Sequence, residues 1–225
     1  MTLLTSSPSQ GARHWVIGDV HGCADSLKAL VARLPQSDRL VFCGDLINRG
    51  PGILEAMELA WDLVESGRAV WLRGNHEQAL LEDLRAEGRQ TWRKLAGCDT
   101  YRQLGDGVCR AWQERLAGLP TAYWGEGWVA THAGFDPISW QPHLSIRQSF
   151  WDSYDGRFGE VIVGHTPVPE VRFVGRGQQI VLIDTGACYG GKLTAYCPES
   201  RRLQQVDGAT TATTGLFPPR LSAIG

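Results

Sequence analysis

Three times before Leu84 this chain repeats one pattern: a short apolar run, a glycine next to a metal-ligand-type side chain, then an amphipathic stretch. The run from Arg13 to Gly18 meets G-D-V-H-G, that from Arg39 to Cys43 meets G-D-L-I-N-R-G, and that from Ala69 to Leu72 meets G-N-H-E. Leu27, Leu30, Val31 and Leu34 recur at helical spacing and stop at Pro35. Pro51 opens a second helix with Ile53, Met57, Ala60, Trp61 and Val64 on one face, acidic residues on the other and Gly67 at its end. Gln78 to Leu84 reads as a third. Strand, motif and helix in succession predict parallel β-α-β units with right-handed crossovers, an α/β chain. Sites in such sheets gather at the carboxyl ends of the strands. The second half is richer in strands, expected at 128–131, 161–163, 180–183, 193–196 and 203–206. Two of these end at His132 in T-H-A-G and His165 in G-H-T-P, which brings a second sheet to the same place.

Composition narrows the possibilities. At 225 residues, 43% hydrophobic and 20% charged, the chain can bury one substantial core. A net charge of −2, with no Lys/Arg stripe, argues against nucleic acid or an anionic membrane as partner. No apolar run is long enough for a membrane span, and the polar start lacks the layout of a secretory signal. None of the six cysteines forms a C-x-x-C pair, and Cys23, Cys43 and Cys188 abut motif glycines. Reduced thiols and a cytoplasmic location are therefore expected. The expected organisation is a single domain over 12–207, with 88–120 as a small helical cap free of ligand candidates. Mobile ends are expected at 1–11 and 208–225.

Asp19, His21, Asp45, Asn75, His132 and His165 offer oxygen and imidazole ligands without cysteine, a set that suits Mn, Fe or Zn. Six ligands exceed what one catalytic ion needs if it is to keep open positions. They suit two ions sharing a carboxylate, an arrangement that clamps the attacking and leaving oxygens of a phosphate ester. Asp45, at the end of the second strand, is the natural bridge. Asn75 adds a neutral oxygen beside an incoming phosphate. His76 follows a ligand directly and is expected to face the cleft as a general acid. Arg49 and Arg147 are expected to grip phosphate with their guanidinium forks. His14 and His143 fit no pattern. Gly186, Gly190 and Gly191 read as turn glycines, and Tyr189 as a residue at the cleft border.

These motifs together resemble the phosphoprotein-phosphatase branch of the calcineurin-like metallophosphoesterases, over about residues 14–196. That branch includes lambda-type bacterial serine/threonine protein phosphatases and symmetrical diadenosine-tetraphosphate hydrolases. The resemblance implies a β-sandwich of two mixed sheets flanked by helices and a dinuclear centre preferring manganese. Asp19, His21 and Asp45 would hold one ion, and Asp45, Asn75, His132 and His165 the other. It further implies His76 as general acid, Arg49 and Arg147 on the phosphate, and direct attack on phosphorus by a metal-bridging water. The branch's protein phosphatases carry Asp where this chain has Asn48. Asn can still accept from the His76 imidazole N–H, but it supplies no charge to stabilise an imidazolium there. The preferred expectation is a serine/threonine phosphatase-like enzyme acting on phosphoproteins or other phosphate monoesters. The alternative is a bis(5'-nucleosyl)-tetraphosphatase acting on dinucleoside polyphosphates, and a third reading is a non-catalytic binder of phospho-ligands.

Overall fold

The computed structural model describes residues 12–209. The expected mobile segment 1–11 and all of 208–225 except its first two residues lie outside the described part. Gly208 is docked, its N–H on the Gly191 carbonyl at 2.8 Å.

Two five-stranded mixed sheets stack face to face. The first has the order β10-β9-β1-β2-β3, with β1 (His14–Ile17), β2 (Arg39–Phe42) and β3 (Ala69–Trp71) parallel. Two antiparallel strands, β9 (Lys192–Cys197) and β10 (Arg202–Asp207), return from the end of the chain to extend it. The second has the order β4-β5-β6-β8-β7. In it β5 (Trp128–Thr131), β6 (Glu160–Val163) and β8 (Ile180–Leu182) are parallel. Its edges are β4 (Ala122–Gly125) and β7 (Arg172–Val174), both antiparallel. These two edge strands were not expected from the sequence. β7 is three largely exposed residues, and β4 carries half-buried and exposed side chains, so neither shows a buried alternation.

Strand side chains alternate between two apolar layers. Val16, Val41, Ile162, Val181 and Ile183 meet between the sheets. Trp15, Ile17, Leu40 and Phe42 turn outward against helices α1 (Ala24–Arg33), α2 (Ile53–Glu65) and α3 (Asn75–Arg85). Burial on both faces explains why these strands read as continuous apolar runs rather than as polar/apolar alternation. The segment 88–120 forms α4 (Arg89–Gly97) and α5 (Asp99–Ala117), the latter broken at Gly105, where φ is 76°. Leu95, Cys109, Trp112 and Leu116 join the outer layer of the first sheet. Helix α6 (Gln148–Ser153) sits on the second sheet through Phe150.

Register sets the site. Ile17 lies opposite Phe42 and Phe42 opposite Trp71, so the residues that follow these strands emerge at one sheet edge. Thr131 lies opposite Val163, which does the same for His132 and His165 in the other sheet. The loops approach so closely that a side chain at Gly164 would collide with Asp19 Oδ1, and one at Gly74 with the Asp45 carboxylate. All six cysteines are free thiols. Among the described residues, no helix is long and apolar enough to cross a membrane.

Candidate metal centre and active site

The strand ends converge as the sequence pattern predicts, and they do so at a conformational cost. His21, Asp45, Asn48, Arg49 and His165 all adopt positive φ, between 45° and 69°. A non-glycine residue in this region is strained, and such strain persists only where the surroundings over-determine it.

The hydrogen bonds made by each imidazole decide what its other nitrogen can do. His21 Nδ1 donates to the Ile47 carbonyl at 2.8 Å, and His132 Nδ1 to the Cys43 carbonyl at 2.7 Å. Each ring therefore turns an Nε2 lone pair into the site, the usual arrangement of a metal-ligating histidine. His21 Nε2 lies 3.8 Å from Asp19 Oδ2 and 3.7 Å from Asp45 Oδ2, and His132 Nε2 lies 3.5 Å from Asp45 Oδ2. Two ligands roughly 2.1 Å from one ion sit about 3.0–3.4 Å apart at octahedral to tetrahedral angles. The observed spacings fit such an ion after small adjustments. Asn75, the first residue of α3, places Oδ1 2.8 Å from both His132 Nε2 and His165 Nδ1. Among the described residues, two groups of three could hold an ion: His21, Asp45 and His76, and Asp45, His132 and His165. Asp45 is common to both.

The electrostatics of the cluster suit a divalent cation. Burial, then Asp184 and Asp45, push Asp19 well above the carboxylate range. Burial raises Asp45 to about 7 and Asp184 to about 6. Burial also depresses the histidines, His132 and His76 to about 4 and His165 to about 3, with Arg49 adding to the effect at His76. Neutral imidazoles beside crowded carboxylates are a donor set that divalent cations fit.

His76 differs from the other rings. Its Nδ1 lies 2.7 Å from Asn48 Nδ2. Asn48 Oδ1 accepts the Thr100 backbone N–H at 2.9 Å, the Thr100 hydroxyl at 2.8 Å and the Cys98 thiol at 3.1 Å. A backbone N–H can only donate, so the amide oxygen must face Thr100 and the NH2 group must face His76. Nδ1 is then the acceptor and the ring hydrogen sits on Nε2, which requires Arg49 Nη2, itself only a donor, to leave its 3.3 Å contact with that nitrogen. This tautomer reverses the bond expected from the sequence, in which Asn48 accepts from the ring. It also removes the lone pair that would make His76 a ligand beside His21 and Asp45.

Arg49 lies inside the cluster: Nη1 donates to His21 Nε2 at 2.6 Å, Nη2 is 3.3 Å from His76 Nε2, and the guanidinium lies over the Tyr189 ring at 5.2 Å. It holds the same His21 lone pair that an ion would take, so a bound cation requires it to turn away. Arg147 stands at the rim, exposed, with Nε on the Thr166 hydroxyl at 3.2 Å. His14 is elsewhere, held by Glu199 and Tyr123, and His143 is exposed. Gly186 and Gly190 flank a single 3-10 turn at φ 73° and 78°, as turn glycines should.

Two buried carboxylates were missed at the sequence level. Glu77 accepts the backbone N–H groups of Asp45, Leu46 and Gly74, each at 2.9 Å, and so ties the second motif loop to the third. Burial and the Asp45 carboxylate push it up to about 8 against the backbone N–H groups of Asp45, Gly74 and Glu77 itself. Asp184 ends β8 as Asp19 ends β1, and its field reaches both Asp19 and Asp45. The signals were present, in G-N-H-E itself and in the D-T-G that follows an apolar run.

Two stacked sheets with histidines and carboxylates converging at their strand ends, together with a family match and similar relatives, identify a metal-dependent phosphoric ester hydrolase. The chain belongs to the calcineurin-like phosphoesterase family, whose model matches residues 12–200. It is 30% identical over an alignment of 221 positions to the bis(5'-nucleosyl)-tetraphosphatase PrpE [asymmetrical] of Bacillus cereus, covering 80% of this chain and 87% of that one. The crystal structure of a putative diadenosine tetraphosphatase superposes with a TM-score of 0.65 at 21% identity, covering 91% and 97% of the two chains. A Saccharomyces cerevisiae protein serine/threonine phosphatase with similarity to human phosphatase PP5 superposes with a TM-score of 0.59 at 14% identity, covering 89% and 80%.

Proposed function

We infer that the chain hydrolyses a dinucleoside polyphosphate, with a nucleotide as leaving group, in preference to a phosphoprotein. The direction of the Asn48–His76 hydrogen bond carries this choice. A serine or threonine alkoxide needs a proton as it departs, and an imidazole with a bare Nδ1 held against an amide NH2 is a poor acid near neutrality. A nucleotide phosphate leaves as a stable anion and needs none. The relatives at 30% identity support the same preference over the phosphoprotein reading.

Asp19, His21 and Asp45 would hold one divalent ion, and Asp45, Asn75, His132 and His165 a second, manganese being the first candidate and iron or zinc the others. Bound there, such ions supply a nucleophilic water near neutral pH and neutralise phosphoryl charge. The chain's own groups do the rest. With Arg49 turned away from His21, its guanidinium and His76 Nε2–H would be two donors to one phosphoryl oxygen. Arg147, at the rim, would take a more distal phosphate of the same polyphosphate. Six free thiols suit a reducing cytoplasm.

The test is a side-by-side measurement of kcat/KM on diadenosine tetraphosphate, a phosphoserine peptide and nitrophenyl phosphate with added manganese. Preference for the polyphosphate by tenfold or more is expected, on the order of 1.4 kcal/mol of transition-state discrimination. Preference for the peptide would restore the protein-phosphatase reading.

A further inference from the structure

Resting on the hydrolase reading above, we propose that Thr100, on the first turn of α5, is a positioning residue for the reaction. It fixes the Asn48 amide so that His76 presents Nε2–H to the substrate beside Arg49. Thr100 lies outside the strand-end motifs and in the segment without ligand candidates, yet it is fully buried.

It makes three bonds to a single residue. Its hydroxyl accepts the Asn48 backbone N–H at 2.9 Å, and its hydroxyl and its backbone N–H both donate to Asn48 Oδ1, at 2.8 and 2.9 Å. The backbone N–H of a helix's first turn has no partner within its own helix, and here Asn48 supplies it. The hydroxyl bond braces the Asn48 backbone at φ 67°, a conformation asparagine tolerates better than other non-glycine residues. The neighbouring Asp99 carboxylate accepts the Arg49 backbone N–H at 3.1 Å, and Gln103 Nε2 donates to the Gly50 carbonyl at 2.9 Å. One turn of α5 therefore grips Asn48, Arg49 and Gly50 in sequence. Through this grip the α4–α5 segment acts on the reaction without reaching the substrate itself.

Thr100→Val keeps the shape and the backbone donor but removes the hydroxyl. Asn48 then loses its backbone anchor and one of the donors on its amide oxygen. A displacement of about 1 Å in a group that contacts the transition state can cost on the order of 100-fold in rate. The expected result is a fall in kcat of about 10- to 100-fold with KM changed much less, reversed by Thr100→Ser, which restores the hydroxyl. Long-range proton–nitrogen NMR of the zinc-loaded protein reads the ring directly. Wild type and Thr100→Ser should show a sharp His76 signal with hydrogen on Nε2; Thr100→Val, whose backbone N–H still orients the amide but whose anchor is lost, should keep that tautomer with a shifted and broadened Nε2–H signal. The proposal is overturned if wild-type His76 carries its hydrogen on Nδ1, a result that needs no variant to fold. It is equally overturned if Thr100→Val, folded by circular dichroism, matches wild type in kcat and spectrum. An NMR result as expected, in a protein that does not hydrolyse phosphate esters, would instead count against the hydrolase reading alone.

Discussion

Removing divalent ions should make this protein's stability fall as pH rises above 6.5. Asp45 and Glu77 are buried with their folded values raised to about 7 and about 8 from ordinary values of 3.8 and 4.5. A raised value means that the folded state holds a proton after the unfolded chain has lost it, so stability declines as pH climbs towards the folded value. The histidines have the opposite sign. His76 and His132 are depressed to about 4 and His165 to about 3, so the unfolded chain binds the extra protons and stability rises with pH up to about 6.5. Below that pH the two sets offset each other, and above it only the carboxylates remain. At about 1.4 kcal/mol per pH unit, the interacting Asp45–Glu77 pair loses about 3 kcal/mol between pH 6.5 and 8. The combined loss of about 3 kcal/mol should lower Tm by about 6–12 °C between pH 6.5 and 8 in a chain of this size. Calorimetry of chelator-treated protein across that window is the assay. Manganese-loaded protein should show little slope, because the bound charge satisfies both carboxylates. A flat or rising Tm in the metal-free protein, or the same slope with and without manganese, would refute the reasoning.

His76→Asn should leave metal content unchanged and lower kcat by about 10²–10³-fold, the effect of losing one donor to a developing phosphoryl charge; loss of metal in this variant would make His76 a ligand instead. Asn48→Asp gives His76 Nδ1 an acceptor and favours the imidazolium, so the ratio of kcat/KM on phosphoserine peptide over nitrophenyl phosphate should rise; an unchanged ratio from pH 6 to 9 would mean that residue 48 does not tune the ring. Glu77→Gln sets an amide NH2 against at least one of three backbone N–H donors, so metal-loaded protein should lose about 1–3 kcal/mol in denaturant unfolding and bind manganese more weakly.

The motifs were legible because a glycine beside a ligand at a strand end is a local signal, and parallel register converts local signals into one site. Asp19, Asp45 and His132 come together for that reason. What the sequence could not display is the direction of a hydrogen bond. Asn48 read as a possible acceptor for His76, and only the Thr100 N–H, 52 residues further along the chain, shows that the NH2 faces the ring. Glu77 and Asp184 went unnoticed for a related reason. Each acts through what surrounds it, three backbone donors in one case and neighbouring carboxylates in the other, and neither follows a spacing rule. The helical reading of 88–120 matched α4 and α5, but which turn faced the site depended on packing of Trp112 and Leu116 against the first sheet.

The bridging carboxylate tests the account most directly. Crystals grown with manganese and measured at its absorption edge should show two anomalous peaks per chain, one on each side of Asp45, with His21 ligating the first and His132 and His165 the second. Asp45→Asn crystals should lose at least one peak. A single peak in the wild type, or two peaks that do not share Asp45, would contradict the two-metal account.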